Sequence, residues 1–340
     1  MLHTMRSKLH GKIVGLAIGA CLALATGVRA EAAGETAAKN EMAGKKVIFV
    51  PISMGITLTE GWARRMREHA AMHGYSFDIR DAAFNTGAMS ELLAKAISEK
   101  PDVLVVHNPT VQLLARQIKQ AQAEGIKVLQ INLQSNQPSA AFVGANWTRI
   151  GTEIAQDIVK ECGAGSGKSG KVAIIPGQLT AADSVMMNEA AFKVFKEHPE
   201  IKVVSNQASD WEPEKARQIT VTVLQQNPDL CAIFGHWDVH TIGAGNAVKD
   251  AGLSGKVLVY ATGGGEYGEA CKAIENGTLS REWSYDADGQ GRDAGTMIDL
   301  LLQGATSSNG SMLTVESPLK IIKAGPDYDP SLCWRMDKKK

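Results

Sequence analysis

From Lys46 onward the chain alternates short apolar runs with longer segments in which apolar residues recur every three or four positions. The first pattern is that of strands covered on both faces, the second that of helices with one buried stripe. Strands are predicted over 46–52, 76–80, 103–106, 127–132 and 142–145. Helices are predicted between them over 60–73, 90–98 and 108–124, the last opened by Asn108-Pro109-Thr110, a capping residue followed by proline. A second series runs through helix 150–160, strand 171–175, helix 184–197, strand 201–205, helix 213–226, strand 231–234, a helix from Val239 to Gly252 and strand 257–261. Helix 266–275, strand 279–284, helix 291–302 and strand 319–322 complete it. Repeated alternation of strand and helix means parallel sheets with right-handed crossovers. About 280 residues are too many for one average core, so the expected fold is α/β, two doubly wound parallel-sheet lobes.

In an open α/β sheet a ligand sits beyond the carboxyl ends of the strands. There the chain places Trp211 in Ser209-Asp210-Trp211-Glu212, Trp237 and Asp238 after strand 231–234, and Gly263-Gly264-Gly265 after strand 257–261. Asp238 is positioned to cap the helix that begins at Val239. Trp283 and Tyr285 close another strand, so several aromatic side chains converge on one crevice. Rings suit sugars and polyols, whose C–H faces pack on aromatic faces while their hydroxyls seek donors and acceptors at the edge.

The first 30 residues change how charge and cysteine are read. Arg6, Lys8 and Lys12 precede an apolar stretch over 13–26 that is too short to span a bilayer, and Val28-Arg29-Ala30 offers a small-residue cleavage site. This is a signal peptide over 1–30, followed by a loose leader over 31–45, and it predicts a soluble exported monomer starting near Glu31 or Ala33. A lipid anchor at Cys21 is disfavoured because apolar residues continue past it. Four of the 36 basic residues and none of the 36 acidic ones lie in that segment, which leaves 32 against 36, a net of −4, and no basic footprint for nucleic acid. Cys162, Cys231, Cys271 and Cys333 remain in an oxidising compartment where two disulfides could form in three connectivities. Cys231 and Cys271 fall on apolar positions, which favours buried thiols.

Motifs for chemistry are sparse. The run from Cys162 to Ser169 has cysteine where a phosphate loop needs glycine, and it follows a helix instead of a strand, so it reads as a surface turn. His69 and His73, and His236 and His240, stand four apart without an H-E-x-x-H motif, and no metal or other cofactor is expected. No G-x-S-x-G elbow occurs and no nucleophile sits beside an evident base, which points away from an enzyme.

The run Ala232-Ile-Phe-Gly-His-Trp-Asp238, continued by Gly243, Ala247, Gly252 and the strand at Val257, resembles the periplasmic sugar-binding proteins of bacterial ABC importers, the ribose-binding type. The resemblance implies two lobes joined by a three-crossing hinge, the type I periplasmic binding protein fold. It places residues 46–146 and 286–313 in an N-terminal lobe, 147–285 and 314–325 in a C-terminal lobe, and 326–340 in a tail. The crossings are expected near 144–147, 284–286 and 316–318. It further implies a membrane permease as partner and a small-molecule ligand held by Asn108, Asn132, Asn188, Trp211, Trp237, Asp238, Gly263 and Tyr285, with Ser53 and Thr57 after the first strand. Departures from the family pattern are concentrated at the ligand. Asn132-Leu133 stands where ribose-type binders carry Asp-Arg, Asn188 matches an arginine, Trp237 an asparagine, Gly263 an aspartate, and Leu58-Thr59 an aromatic pair. The pocket is therefore expected to be more neutral and more aromatic, suited to a small neutral polyol or an uncommon sugar. Alternatives are a sensor subunit presenting the same closed cleft to a membrane receptor, and a quaternary-amine ligand held by ring faces and Asp238. Intracellular repressors of this fold are set aside because of the signal peptide.

Overall fold

The computed structural model describes residues 42–307 and 310–336; the signal peptide and most of the leader expected over 1–45 lie outside them. Two six-stranded sheets organise the chain. The first lobe is built from β1 (Lys46–Val50), α1 (Thr57–His73), β2 (Ser76–Ile79), α2 (Thr86–Ser98), β3 (Val103–Val106), α3 (Ala115–Ala123), β4 (Lys127–Ile131) and β5 (Ala141–Gly144). The second is built from α4 (Trp147–Cys162), β6 (Lys171–Ile175), α5 (Ala182–Lys196), β7 (Lys202–Asn206), α6 (Pro213–Gln226) and β8 (Ala232–Gly235). It continues with α7 (Asp238–Asp250), β9 (Leu258–Gly263), a π-helical turn (Tyr267–Cys271), α8 (Lys272–Glu275) and β10 (Arg281–Ser284). The chain then returns to the first lobe with α9 (Ala287–Leu302) and β11 (Leu313–Glu316), and ends in the second with β12 (Lys320–Lys323).

Strand orders are β11-β5-β4-β3-β1-β2 and β12-β10-β9-β8-β6-β7. Every pairing is parallel except that of β12 with β10. Three segments therefore cross between the sheets: β5 to α4, β10 to α9, and β11 to β12. Polar contacts brace these crossings. Lys320 Nζ meets Asp286 Oδ2 at 2.8 Å, Asn146 Nδ2 donates to Glu316 Oε1 at 3.1 Å, and Gln290 Nε2 donates to Ser317 Oγ at 3.2 Å.

Local chemistry explains most boundaries. α1 stops at Gly74, which at φ 82° returns its N–H to Ala70 O at 2.8 Å. Asn85 and Asn146 cap α2 and α4 by accepting from Ala88 N and Arg149 N, each at 2.9 Å. Pro213 opens α6, where its missing N–H costs nothing. α6 and α7 pack closely because Gly243 lies flat on the Pro213 carbonyl, where a Cβ would overlap backbone. One large apolar cluster fills the faces that carry α1, α9, α4 and α5 and runs through both lobes, while two smaller clusters lie under α2 and α3 and under α6 and α7.

Four expectations are corrected. No helix begins at Asn108-Pro109-Thr110; turns occupy 109–114 and α3 starts at Ala115, because the Asn108 side chain points inward and donates to Gln130 Oε1 and Leu133 O, both at 2.9 Å. Asp238 is the first residue of α7, not its cap: Trp237 holds the cap position, and Asp238 Oδ1 accepts from Val239 N, at 2.8 Å. The return into the first lobe extends through β11, which pairs with β5, so that lobe runs to Glu316 instead of 313. The cysteines are not free thiols: Cys162 pairs with Cys231 and Cys271 with Cys333. Both bonds lie in the second lobe. The second secures the C-terminal segment, whose Trp334 N–H bonds Gly265 O at 3.2 Å and whose indole lies over Gly61 of α1, 2.9 Å from where a Cβ there would stand. Among the described residues no helix is long and apolar enough to cross a membrane.

Candidate functional site

The carboxyl ends of both sheets face one cleft with about 470 Å3 of free space, part of it open to solvent. The first lobe contributes Ile52 and Leu58 after β1, Phe84 after β2, His107 after β3, and Asn132 with Leu133 after β4. Asp183 at the start of α5, Trp211 after β7, and His236 with Trp237 after β8 face them from the second lobe, while Trp147 and Tyr285 stand at two crossings. Trp147 and Tyr285 meet edge to face at 5.3 Å. Trp211 stacks on His240 at 5.7 Å and meets Trp237 edge to face at 6.0 Å.

Backbone strain sits where these groups are aimed. Asn132 has φ 61° and Trp211 φ 67°, a left-handed conformation that costs a bulky residue about 1–3 kcal/mol. Trp147 Nε1 donates to Asn132 O at 3.0 Å and so holds that turn. Gly177 lets the Trp211 ring lie directly on the backbone after β6, since a Cβ there would overlap the ring.

Electrostatically the cleft is close to neutral. Among the described residues that line it there is no lysine or arginine. Burial lowers the pKa of His107, His236 and His240 to about 3, so all three imidazoles are neutral at any physiological pH, each with one donor and one acceptor nitrogen. Neither nitrogen of His107 or His236 has a hydrogen-bond partner in the protein. The same holds for Oδ1 of Asn132 and Oδ1 of Asp183. Burial also pushes the Asp183 carboxyl up to about 7. Buried polar atoms normally find partners, so this concentration of unpartnered ones marks the cleft as built for a ligand with its own donors and acceptors. Two contacts join its lips: Thr57 Oγ1 donates to Glu269 Oε2 at 2.6 Å, and Val111 N donates to Thr180 O at 3.1 Å.

Of the residues expected from sequence, Asn132, Trp211, Trp237 and Tyr285 line this cleft and the others do not. Asn108 stands behind the wall, fully buried, bonded to Gln130 and Leu133. Asn188 lies one turn beyond Ser184 on α5, and each has a buried side-chain oxygen without a partner. Asp238 is packed against Gly263, at which a Cβ would overlap its carboxylate; burial and the Glu269 charge push its pKa up to about 7. Ser53 Oγ donates to Met54 O at 2.9 Å, and Thr57 serves the lip contact. Asp183, His107, Phe84 and Trp147 were not singled out by the sequence. Asp183 follows two alanines and looks like an ordinary first-turn acid, and His107 carries no motif. His107, Phe84 and Trp147 share one signal, a place within a few residues of a predicted strand end or crossing, whereas Asp183 stands eight residues past its strand, at the edge of the helix predicted over 184–197.

Residues 26–306 match the model of the periplasmic binding protein domain, and the chain belongs to that family. It is similar to the D-allose-binding periplasmic protein of Escherichia coli K12, at 36% identity over 140 residues covering 41% of this chain and 43% of that protein. It is also similar to the ribose import binding protein of the same organism, at 25% identity over 287 residues, 83% of this chain and 93% of that one. Among solved structures, the periplasmic ribose ABC transporter from Conexibacter woesei superposes with a TM-score of 0.70 at 25% identity, covering 83% of this chain and 93% of that chain. The alignment to the allose-binding relative thus spans less than half of its length. The two-lobed α/β architecture is that of the type I periplasmic binding proteins, as the resemblance at 232–257 implied.

Proposed function

We propose that this protein, exported through a cleaved signal peptide, captures a small neutral polyol or sugar-like molecule between its lobes and delivers it to the membrane permease of an ABC importer. The observation that carries this is the pairing of ring faces with neutral, unpartnered polar atoms in one cleft. Trp211, Trp237 and Tyr285 offer apolar faces, and His107, His236 and Asn132 offer donors and acceptors without net charge, which is what C–H faces and hydroxyls need. The relatives named for allose, ribose and ribose import agree with that ligand class. A quaternary amine fits less well, since Asp238 does not line the cleft and burial disfavours ionisation of Asp183. The sensor alternative draws no support from those relatives, one of which is named for import.

A thermal-shift panel of tetritols, pentitols, inositols, ribose, allose, arabinose, deoxysugars, choline and betaine tests the proposal. The true ligand at 100 times its dissociation constant adds about 2.7 kcal/mol of stability. Trp211→Ala is expected to weaken binding of that ligand tenfold or more, and binding should change tryptophan fluorescence as the lobes close over it. A response confined to choline and betaine, or a ligand bound equally well by Trp211→Ala, overturns the assignment.

A further inference from the structure

We infer that the first lobe carries a divalent transition-metal site outside the ligand cleft, formed by His69 and His73 of α1 and Asp299 of α9. The two histidines are four apart and share a face of α1, and α9 packs on that helix. His69 Nδ1 lies 2.7 Å and His73 Nε2 3.3 Å from the same oxygen, Asp299 Oδ2. All three ligand atoms fall within 4.8 Å of one another, close enough for one ion to reach each.

The site is preorganised. Gly295, one turn before Asp299, lies flat on the His69 imidazole, and a Cβ there would overlap the ring. Hydrogen bonding inside the cluster does not exhaust it. Asp299 Oδ1 is buried without a partner, and so is the hydroxyl of Tyr75, just before the strand that follows α1. Two imidazoles and one carboxylate form the donor set of three-ligand zinc sites, with a fourth position left for water or a phenol oxygen. Such a set selects Zn2+, Co2+ or Ni2+ over Mg2+ and Ca2+. Side-chain exposures of 19% for His69, 27% for His73 and 13% for Asp299 leave an entry path from solvent. The buried His107, His236 and His240 offer none. An ion here would pin the C-terminal end of α1 to α9, at the far end of α1 from Leu58 in the cleft, so it would stiffen the first lobe without touching the ligand.

Calorimetric titration of the untagged protein with ZnCl2, with Co2+ absorption as a second readout, tests the site independently of any sugar. The expected result is one ion per chain at micromolar affinity, a tetrahedral Co2+ spectrum and a higher melting temperature with zinc. His69→Gln and His73→Gln should each weaken binding at least tenfold and abolish the zinc-dependent rise in melting temperature, and His73→Gln, at a partly exposed position, should leave the fold intact by circular dichroism. The inference is overturned if the wild-type protein takes up no stoichiometric zinc, or if both variants titrate as it does.

Discussion

Reduction of the two disulfides is expected to destabilise the second lobe by about 4 kcal/mol per bond, while the first lobe melts as before. The bonds close loops of 69 and 62 residues, and cross-links of that span remove roughly this much chain entropy from the unfolded state. All four cysteines belong to the second lobe or to the segment seated on it. Calorimetry with and without a phosphine reductant should therefore turn one unfolding transition into two, with only the lower one moved by the reductant. The Cys162→Ala/Cys231→Ala double variant should reproduce part of the change. A melting profile indifferent to reductant would show that these bonds carry no stability.

Asp183→Asn is expected to stabilise the ligand-free protein in a strongly pH-dependent way. Unfolded, the carboxyl titrates near its ordinary value of 3.8; folded, burial pushes it up to about 7. Between those values the folded state keeps a proton that the unfolded state has lost, so stability falls as pH rises through the window. The gap between the two values corresponds to about 4 kcal/mol, fully expressed above the folded one. Asparagine cannot ionise, so the variant should gain about that much over wild type at about pH 8 compared with about pH 4. His107, His236 and His240, lowered to about 3, act in the opposite sense and lose stability as pH falls below 6.5, but they are common to both proteins and cancel in the comparison. Urea titrations at the two pH values measure the difference. Parallel pH profiles would mean that Asp183 is solvated or paired.

The fold was largely legible in the hydrophobic pattern. Helix Pro213–Gln226 and strands Val103–Val106 and Lys171–Ile175 follow the predicted bounds because apolar periodicity and proline act locally. β11 was missed because it is a four-residue edge strand, half exposed, with Thr314 and Glu316 alternating with Leu313 and Val315. The helix expected from Asn108 failed because a capping side chain can be drawn inward by a distant partner, here Gln130, that no local rule contains. The site was legible in outline, as aromatics at strand ends. Its polar half was not, since unpartnered atoms on His107, His236 and Asp183 arise only when distant loops enclose them. Cysteine pairing is likewise a property of which segments meet.

The last thirty or so residues supply both sheets with an edge. β11 completes the first sheet, β12 the second, and Cys333 closes the bond to Cys271. Neither lobe is therefore complete until the segment 313–323 has joined its sheet. Loss of residues 317–340 alone leaves the second lobe with an open sheet edge and an orphan thiol at Cys271.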